Sequence, residues 1–317
     1  MSKPYVVGID IGGTNTVFGI VDARGVVLAS SSIKTRKHPT VEAYIDELHT
    51  ELTKLMDVNE AIGKIHGIGI GAPNANYYTG TIEDGVNLPW PTPIPLAQLV
   101  ADKFGVPVSV TNDANAAALG EIAYGNAGGM RDFIMVTLGT GLGSGFVAGG
   151  RMIYGHDGMA GELGHVVVEP GGRQCGCGRR GCLETYVSAT GAKRTAFELM
   201  ARETVPSVLR DVPYDKFDAR IITEAAQKGD SLALEVFRCT AERLGRALAN
   251  AVAITSSEAV FFFGGLAQAG ELLLEPTRRY LEENLLPVYR GNVKVLPSGI
   301  PAQNAAILGA SALIWNE

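Results

Sequence analysis

The chain of 317 residues has few cysteines, few charged residues and no long apolar run, and each of these absences argues against a class of protein. It has only four cysteines, and three of them cluster at 175, 177 and 182, so they do not form the disulfide framework of a small secreted domain. Charged residues make up 19%, and the net charge of −6 argues against a basic surface for nucleic acid or anionic membranes. No apolar run reaches membrane length and no signal-peptide pattern opens the chain. We therefore expect a cytoplasmic protein that binds neither nucleic acid nor membrane.

The chain is instead rich in apolar residues, at 46%, and in glycine, with 40 residues. Its length suits one large domain or two lobes. Short apolar runs between glycine turns predict strands at 5–10, 16–21, 26–31, 65–71, 106–110 and 259–263. Apolar residues at helical spacing and alanine-rich stretches predict helices at 41–56, 96–104, 114–124 and 303–314, and a mostly helical segment at 188–254. We expect the last helix to pack back on the first lobe.

The opening pattern returns later in the chain. Residues 133–152 resemble residues 6–26: each segment has a strand, a glycine-rich hairpin, a second strand, a turn and a third strand. Asp10 aligns with Thr137 and Gly12 with Gly139, and a one-residue slip then aligns Gly19 with Gly145. This repeat predicts a duplicated α/β unit.

The stretch from Gly161 to Glu184 indicates a metal site. His165, Cys175, Cys177 and Cys182 provide one imidazole and three thiolates, which suit tetrahedral zinc. Four protein ligands leave no open position, so such a zinc would be structural. The alternative is a glycine-rich loop with reduced cysteines and an unrelated histidine.

Two glycine hairpins are candidates for phosphate binding, namely Asp10–Asn15 and Thr137–Gly145. Glycine lets backbone N–H groups approach an anion closely. Neither hairpin has the Walker A pattern, and each alone is as readily an ordinary turn. Gly264–Gly265, after an apolar strand, offers a third point of close approach, with a simple strand-to-helix turn as the alternative.

A candidate catalytic carboxylate follows the strand VPVSV at Asn112–Asp113. Asp113 is also a natural helix N-cap, which is the structural alternative. However, the carboxyl end of a parallel strand is where α/β folds bind ligands. A carboxylate there can accept the proton of a sugar hydroxyl as that hydroxyl attacks a γ-phosphoryl group.

Together these motifs are similar to those of a known family. The chain resembles the ROK sugar kinases and regulators of the actin-like ATPase superfamily, and most closely their bacterial glucokinases. The resemblance rests on DIGGTN at 10–15, GIGIGAPN at 67–74, NLPW at 87–90, NDANAAALGE at 112–121, LGTGLGSG at 138–145, GELGH at 161–165, CGCGRRGCLE at 175–184 and FFGGLA at 262–267.

The resemblance implies a two-lobed actin-like ATPase (ribonuclease H-like) α/β fold, with duplicated α/β domains and an interlobe cleft. Residues 1–112, completed by a C-terminal helix at about 303–317, would form the first lobe. Residues 113–302, with the zinc-binding loop 165–182, would form the second. We place the hinge near Thr111–Asn115. The family also suggests a homodimer.

The resemblance further implies the roles of individual residues in glucose phosphorylation by ATP. Asp113 would be the general base on the sugar 6-hydroxyl. Other sugar contacts would come from Gly71, Asn74, Asn87, Asn112, Glu162, His165 and Glu184. Nucleotide contacts would come from Asp10, Gly12, Gly13, Thr14, Asn15, Thr140, Gly141, Gly264 and Gly265. Magnesium would neutralise charge between the phosphates, with Asp10 positioning it, and His165, Cys175, Cys177 and Cys182 would hold zinc.

One departure from the family pattern concerns the sugar. Many relatives have glycine where Asn74 stands, and asparagine is the non-glycine residue that best tolerates a left-handed turn. Another hexose or N-acetylhexosamine (N-acetylmannosamine, N-acetylglucosamine, mannose or fructose) is the alternative acceptor. A catalytically silent sugar sensor is a second alternative. A repressor would need a DNA-binding segment ahead of Asp10, which we do not expect.

Overall fold

The computed structural model describes residues 3–84 and 88–315. The chain divides into two compact units. The first consists of Met1–Met130, Met152–Ala160 and Gly299–Glu317. The second consists of Arg131–Arg151 and Gly161–Ser298.

The strands, in chain order, are β1 (Tyr5–Ile11), β2 (Asn15–Asp22), β3 (Val27–Lys34), β4 (Ile65–Gly71), β5 (Ala75–Asn76), β6 (Thr81–Ile82), β7 (Val108–Thr111), β8 (Phe133–Leu138), β9 (Leu142–Ala148), β10 (Arg151–Met152), β11 (Ala259–Phe263) and β12 (Lys294–Pro297). The α-helices are α1 (Val41–Val58), α2 (Leu96–Phe104), α3 (Asp113–Tyr124), α4 (Glu184–Val187), α5 (Ala189–Arg202), α6 (Ala219–Gln227), α7 (Ser231–Thr255), α8 (Glu271–Asn284) and α9 (Ala305–Trp315).

The first unit is built on a five-stranded sheet in the order β3-β2-β1-β4-β7. β1 pairs antiparallel with β2, and β2 pairs antiparallel with β3, which confirms the predicted succession of strand, hairpin, strand, turn and strand. β1 also pairs parallel with β4. Asp10 lies opposite Gly71 in that pairing, and Gly71 lies opposite Thr111 on β7. The carboxyl ends of three parallel strands therefore meet at one edge of the sheet.

Helix α9 packs on this sheet, as the sequence predicts. A Cβ atom at Gly8 would overlap the carbonyl of Ile307, and one at Gly69 would overlap the carbonyl of Ala310. Glycine on β1 and β4 thus lets the helix backbone lie directly against the strands. The last helix is an integral part of the core of the first unit.

The second unit repeats the plan of the first. Its sheet has the order β10-β9-β8-β11-β12, again with an antiparallel pair followed by parallel neighbours. Gly19 lies opposite Gly8, and Gly145 lies opposite Met135, the residue that the sequence repeat aligns with Gly8. The predicted duplication is therefore present in strand order and in register.

Most of the predicted element boundaries differ from the observed ones by one to three residues. The strand predicted from Val106 begins at Val108, because Pro107 has no N–H group to contribute to the sheet. The helix predicted from Ala114 begins at Asp113. The segment predicted as mostly helical contains α5, α6 and α7. Among the helices of residues 3–84 and 88–315, none combines the length and apolarity needed to cross a membrane.

Candidate active site

Asn112, rather than Asp113, caps helix α3. Its side-chain oxygen accepts hydrogen bonds from the backbone N–H groups of Ala114 at 2.8 Å and Asn115 at 3.1 Å. Asp113 is consequently the first helical residue, and its Oδ1 accepts the Ala114 N–H at 2.8 Å. The structural alternative, in which Asp113 is the N-cap of the helix, is therefore wrong, because Asn112 is the N-cap. The Asp113 side chain lies just beyond the end of β7.

The carboxylates of Asp10 and Asp113 converge around Gly71. A Cβ atom at Gly71 would lie 3.6 Å from Asp10 Oδ1 and 3.7 Å from Asp113 Cα. Position 71 therefore lies next to both aspartate residues, and glycine there adds no side chain to the space around them.

Both aspartates have raised pKa values. Desolvation by the surrounding protein, with the Asp113 charge as a second cause, raises the pKa of Asp10 to about 7. The Asp113 residue is partly accessible to solvent. Desolvation by the surrounding protein atoms nevertheless raises the pKa of its carboxyl as well. Two close carboxylates in a partly dry site suit proton transfer or the binding of a cation.

The DIGGTN hairpin, which begins with Asp10, joins β1 to β2. Gly12 and Gly13 are half-buried, whereas Thr14 and Asn15 are exposed. The Gly12 N–H donates to the Asn15 carbonyl at 3.0 Å, which closes the turn, and Lys34 Nζ donates to Asn15 Oδ1 at 2.7 Å. The hairpin is therefore ordered by its own contacts and carries a lysine at its rim.

Asn74 adopts the left-handed conformation that the sequence suggested, with φ of 53°. Its Nδ2 donates to the Asp84 carbonyl at 2.7 Å, and its own carbonyl accepts the Glu83 N–H at 2.9 Å. This backbone conformation is one that glycine and asparagine adopt more readily than other residues do. Asn87, the other predicted sugar ligand of this region, lies outside the described residues.

In the second unit, the predicted phosphate glycines come together at the ends of β8 and β11. Phe263 pairs with Thr137, so Gly264 follows directly beside Leu138. A Cβ atom at Gly264 would lie 2.5 Å from the Leu138 carbonyl, and the φ of Gly264 is 102°. Thr140 is exposed at the tip of the hairpin, next to Gly141. Gly265 has open space around its Cα, which leaves room for a ligand.

His165, Cys175, Cys177 and Cys182 form one cluster. Their candidate ligand atoms all lie within 4.8 Å of one another. The Cys175 Sγ is 3.7 Å from His165 Nδ1, and the Cys177 Sγ is 3.6 Å from the Cys182 Sγ. A tetrahedral zinc with bonds of about 2.3 Å to sulfur separates its ligands by roughly 3.8 Å. These two separations match that spacing, and all four ligand atoms lie within 4.8 Å of one another, so the cluster is compact enough to converge on one zinc ion.

The backbone around the cluster is folded tightly enough to hold this spacing. The Cys175 N–H donates to the Arg179 carbonyl, and the Gly178 N–H donates to the Cys175 carbonyl. Gly178 and Gly181 both have positive φ, and a Cβ atom at Gly181 would overlap the Glu169 carbonyl. The glycines of CGCGRRGC are thus required by the turn that brings the sulfurs together.

The three thiols of the cluster have different acidities. The backbone N–H of Arg179 donates to the Cys177 sulfur and lowers the pKa of that thiol to about 6. Burial instead raises the pKa of Cys175 to about 12 and also raises the pKa of Cys182. A cation is the natural partner for such a set, because it favours the thiolate form of all three.

Glu162, His165 and Glu184 surround the cluster. The Nε2 of His165, which faces away from the cysteines, is 3.9 Å from Glu162 Oε2. Glu184 Oε2 accepts the Leu142 N–H at 3.0 Å, and its Oε1 is 3.7 Å from Cys175 Sγ. A metal bound by Nδ1 would thus fix the ring of His165 and leave Nε2 directed at Glu162.

The structure also assigns supporting contacts to residues that the sequence reasoning did not single out. Ser144 Oγ donates to the Gly161 carbonyl and accepts the Leu163 N–H, so it ties the GELGH turn to β9. Thr35 and Arg36 contact the back of the DIGGTN hairpin. Ser144 lies inside a quoted motif, but Thr35 and Arg36 carry no motif signal.

Comparison with known proteins gives the family. The ROK family matches residues 6–317, so this chain belongs to it. It is 37% identical to the glucokinase of Halalkalibacterium halodurans over 90% of this chain and 88% of that protein. It is 35% identical to the glucokinase of Thermotoga maritima over 99% of this chain and 98% of that protein.

Two solved structures agree with the assignment to the ROK family. The ROK family glucokinase from Streptomyces griseus, in complex with glucose and AMPPNP, is 34% identical and has a TM-score of 0.83, with 99% of this chain and all of that chain covered. The ROK hexokinase from Thermus thermophilus is 31% identical and has a TM-score of 0.79, with 98% of each chain covered. The predicted fold class, the actin-like ATPase fold with duplicated α/β domains, is confirmed.

Proposed function

We propose that this protein is a glucokinase, which transfers the γ-phosphoryl group of ATP to the 6-hydroxyl of glucose. The glucokinases at 35–37% identity and the glucose- and AMPPNP-bound relative support this activity. The observation that carries the mechanism is the pair Asp10 and Asp113, side by side at the carboxyl ends of β1 and β7.

Asp113 is the general base. Burial raises the pKa of Asp113, so its carboxylate is a better proton acceptor than that of an ordinary aspartate. The carboxylate takes the proton of the glucose 6-hydroxyl, and O6 forms a bond to the γ-phosphorus as the bond to the β-phosphate oxygen breaks. Glucose 6-phosphate and ADP are the products. The α3 N-cap by Asn112 supports this role because it fixes the first turn that carries Asp113.

The two glycine hairpins bind the nucleotide in this mechanism. Gly12, Gly13, Thr14 and Asn15 and the pair Thr140–Gly141 hold the phosphates through backbone N–H and hydroxyl donors. Gly264 and Gly265 lie near the adenosine. Magnesium, when bound, neutralises the charge that develops between the phosphates. Asp10 is suited to hold that ion through water, since a neighbouring cation would favour its ionised form.

The contacts with the glucose hydroxyls are those that the family resemblance implies, from Gly71, Asn74, Asn87, Asn112, Glu162, His165 and Glu184. His165 has two roles, with Nδ1 on the metal and Nε2 toward the sugar. Support comes from the direction of its ring, in which Nδ1 faces Cys175 and Nε2 faces Glu162.

We also propose that the metal of the Cys₃His cluster is zinc and that it is structural. Four protein ligands complete a tetrahedral shell, so the ion stabilises the loop 165–182 and the side chains attached to it. The enzyme would act as a homodimer in the cytoplasm, in keeping with the family resemblance.

The test of the activity is a coupled ADP-release assay with ATP and magnesium on a panel of hexoses and N-acetylhexosamines. We expect turnover with glucose to exceed turnover with every other sugar. Preference for mannose, fructose or an N-acetylhexosamine would keep the kinase chemistry and replace glucose as the substrate. Sugar binding without turnover would favour a sensor.

Asp113→Asn tests the assignment of the base in the same assay. We expect turnover to fall by about 10²–10⁴-fold, because the amide cannot accept the proton. Glucose affinity, measured by calorimetry, should change little. Asp102→Asn, at an exposed position on α2, is the matched control and should behave like the wild type. Near wild-type turnover in Asp113→Asn would exclude Asp113 as the base.

A further inference from the structure

Three successive carbonyl groups of the DIGGTN hairpin are held from behind by the residues that follow β3. Thr35 Oγ1 donates to the Gly12 carbonyl at 2.8 Å, and Arg36 Nε donates to the Gly13 carbonyl at 2.7 Å. The Thr35 backbone N–H donates to the Thr14 carbonyl at 3.0 Å. The donors are more than twenty residues away in sequence from the glycines that they hold.

These bonds determine where the hairpin amides point. In a trans peptide the C=O and N–H groups lie in one plane and point in opposite directions. Because the Gly12 carbonyl faces Thr35, the Gly13 N–H faces away from it. Because the Gly13 carbonyl faces Arg36, the Thr14 N–H faces away as well. Two neighbouring amides are thus directed to the opposite side of the hairpin, as in an anion-binding loop.

A buried chain of hydroxyl groups fixes the side chain of Thr35. Thr35 Oγ1 is 3.0 Å from Thr16 Oγ1, which is 2.8 Å from the hydroxyl of Tyr44, and all three side chains are buried. Each hydroxyl has one proton, and Thr35 uses its proton on the Gly12 carbonyl. Thr16 therefore donates to Thr35, and Tyr44 donates to Thr16. The hydroxyl chain runs in one direction from helix α1 to the hairpin.

We propose that Thr35 and Arg36 are positioning residues for nucleotide binding, which hold the Gly12–Thr14 peptides so that the Gly13 and Thr14 N–H groups face the phosphates. This inference rests on the proposed kinase function. Arg36 has a second effect, because it brings a permanent positive charge to the same hairpin. Neither residue has to touch the nucleotide for this role.

The hydroxyl of Thr35 is tested with Thr35→Val, which keeps the shape of the side chain and removes the donor. The probes are ADP and adenosine, measured by displacement of a fluorescent nucleotide. We expect ADP to bind about three- to tenfold more weakly, the loss of one hydrogen bond, while adenosine and glucose affinities stay unchanged. Thr35→Ser restores the hydroxyl and should restore ADP affinity.

The matched control is Thr240→Val. Thr240 is also buried, and its hydroxyl also donates to a backbone carbonyl, that of Val236 in α7. This variant should lose stability to a similar degree and keep wild-type affinity for ADP. The comparison separates a loss of hairpin geometry from a general loss of stability.

Arg36→Ala tests the second donor, which lies at an exposed position. ADP affinity should fall by a similar factor, and the fall should shrink as salt is raised, because screening weakens the charge contribution. Arg24→Ala removes another exposed arginine, from the β2–β3 turn, and should leave ADP affinity unchanged.

The outcomes separate this inference from the function on which it rests. A wild-type protein that neither binds ADP nor phosphorylates any sugar would overturn both. An active wild type, with Thr35→Val and Arg36→Ala both within twofold of its ADP affinity, would overturn the positioning role alone. Equal weakening of ADP and adenosine in Thr35→Val would also overturn it, because the effect would not concern the phosphates.

Discussion

Glu184 accepts a hydrogen bond from the backbone N–H of Leu142 at 3.0 Å, while its other carboxylate oxygen is 3.7 Å from Cys175 Sγ. One side chain thus connects the cysteine cluster to the first residue of β9. The neighbouring Gly141 is required by this contact, since a Cβ atom there would overlap Glu184 Oε2. The loop that carries the candidate metal ligands and the hairpin predicted to bind phosphate are therefore linked through a single carboxylate.

We predict that Glu184→Ala weakens both regions at once. The Leu142 N–H loses a charged acceptor, which costs about 1.5–3 kcal/mol of unfolding free energy. Urea unfolding measures this loss, and direct binding should show weaker affinity for both glucose and ADP. Glu184→Gln keeps an acceptor oxygen and should lose less. Glu224→Ala, at an exposed position on α6, is the control. Unchanged ADP affinity in Glu184→Ala would show that the link is not functional.

The raised pKa of Asp10 predicts a pH dependence of stability. Below about pH 4 Asp10 is protonated in both the folded and the unfolded chain. The free energy of unfolding is then not reduced by the cost of ionising the buried carboxyl. Between the unfolded pKa of 3.8 and the folded pKa of about 7, the unfolded chain ionises first and stability falls as pH rises. A shift of this size corresponds to at most about 4 kcal/mol.

Asp10→Asn should remove most of this fall, since the amide does not titrate. The measurement is urea unfolding of the magnesium-free protein between pH 4.5 and pH 8, with and without the substitution. Asp57→Asn, at an exposed position near the end of α1, should follow the wild-type profile. If the stability of Asp10→Asn had the same pH dependence as that of the wild type, Asp10 would have an ordinary pKa in the folded protein.

Removal of one thiol tests the metal site. Cys177→Ser should abolish stoichiometric zinc in elemental analysis and lower the melting temperature, because the loop 165–182 loses the ion that neutralises its thiolates. Glucose affinity should fall together with stability. Cys239→Ser is the matched control, since Cys239 lies on α7 outside the cluster. Equal zinc content and melting temperature in wild type and Cys177→Ser would refute the zinc assignment.

The sequence predicted best those elements that begin or end at residues with special backbone properties, such as proline and glycine. Strand β4 and helix α2 begin and end where the sequence predicts. In α2 the proline at 95 and the left-handed glycine at 105 mark both ends. The duplicated sheet followed from the glycine pattern, and the left-handed turn at Asn74 followed from the tolerance of asparagine for that conformation. The spacing of the cysteines indicated a cluster that the structure brings within ligand distance of His165.

Contacts between distant segments were not predictable in the same way. Nothing in the local sequence of Thr35 or Arg36 indicates that they hold Gly12 and Gly13, because that pairing depends on the register of β2 against β3. Likewise, Asn112 and Asp113 are both good capping residues, and only the backbone geometry shows that Asn112 caps while Asp113 begins the helix. The roles of the predicted sugar and nucleotide ligands stay predictions, to be tested by the variants above.

The direct packing of α9 on β1 and β4 has a consequence for protein synthesis. Strands β1 and β4, which α9 covers, precede the second unit in sequence, whereas the helix itself, residues 305–315, follows it. On the ribosome, the core of the first unit therefore closes only after the second unit has been translated. Until then the strand surface around Gly8 and Gly69 lacks the helix that covers it in the folded protein.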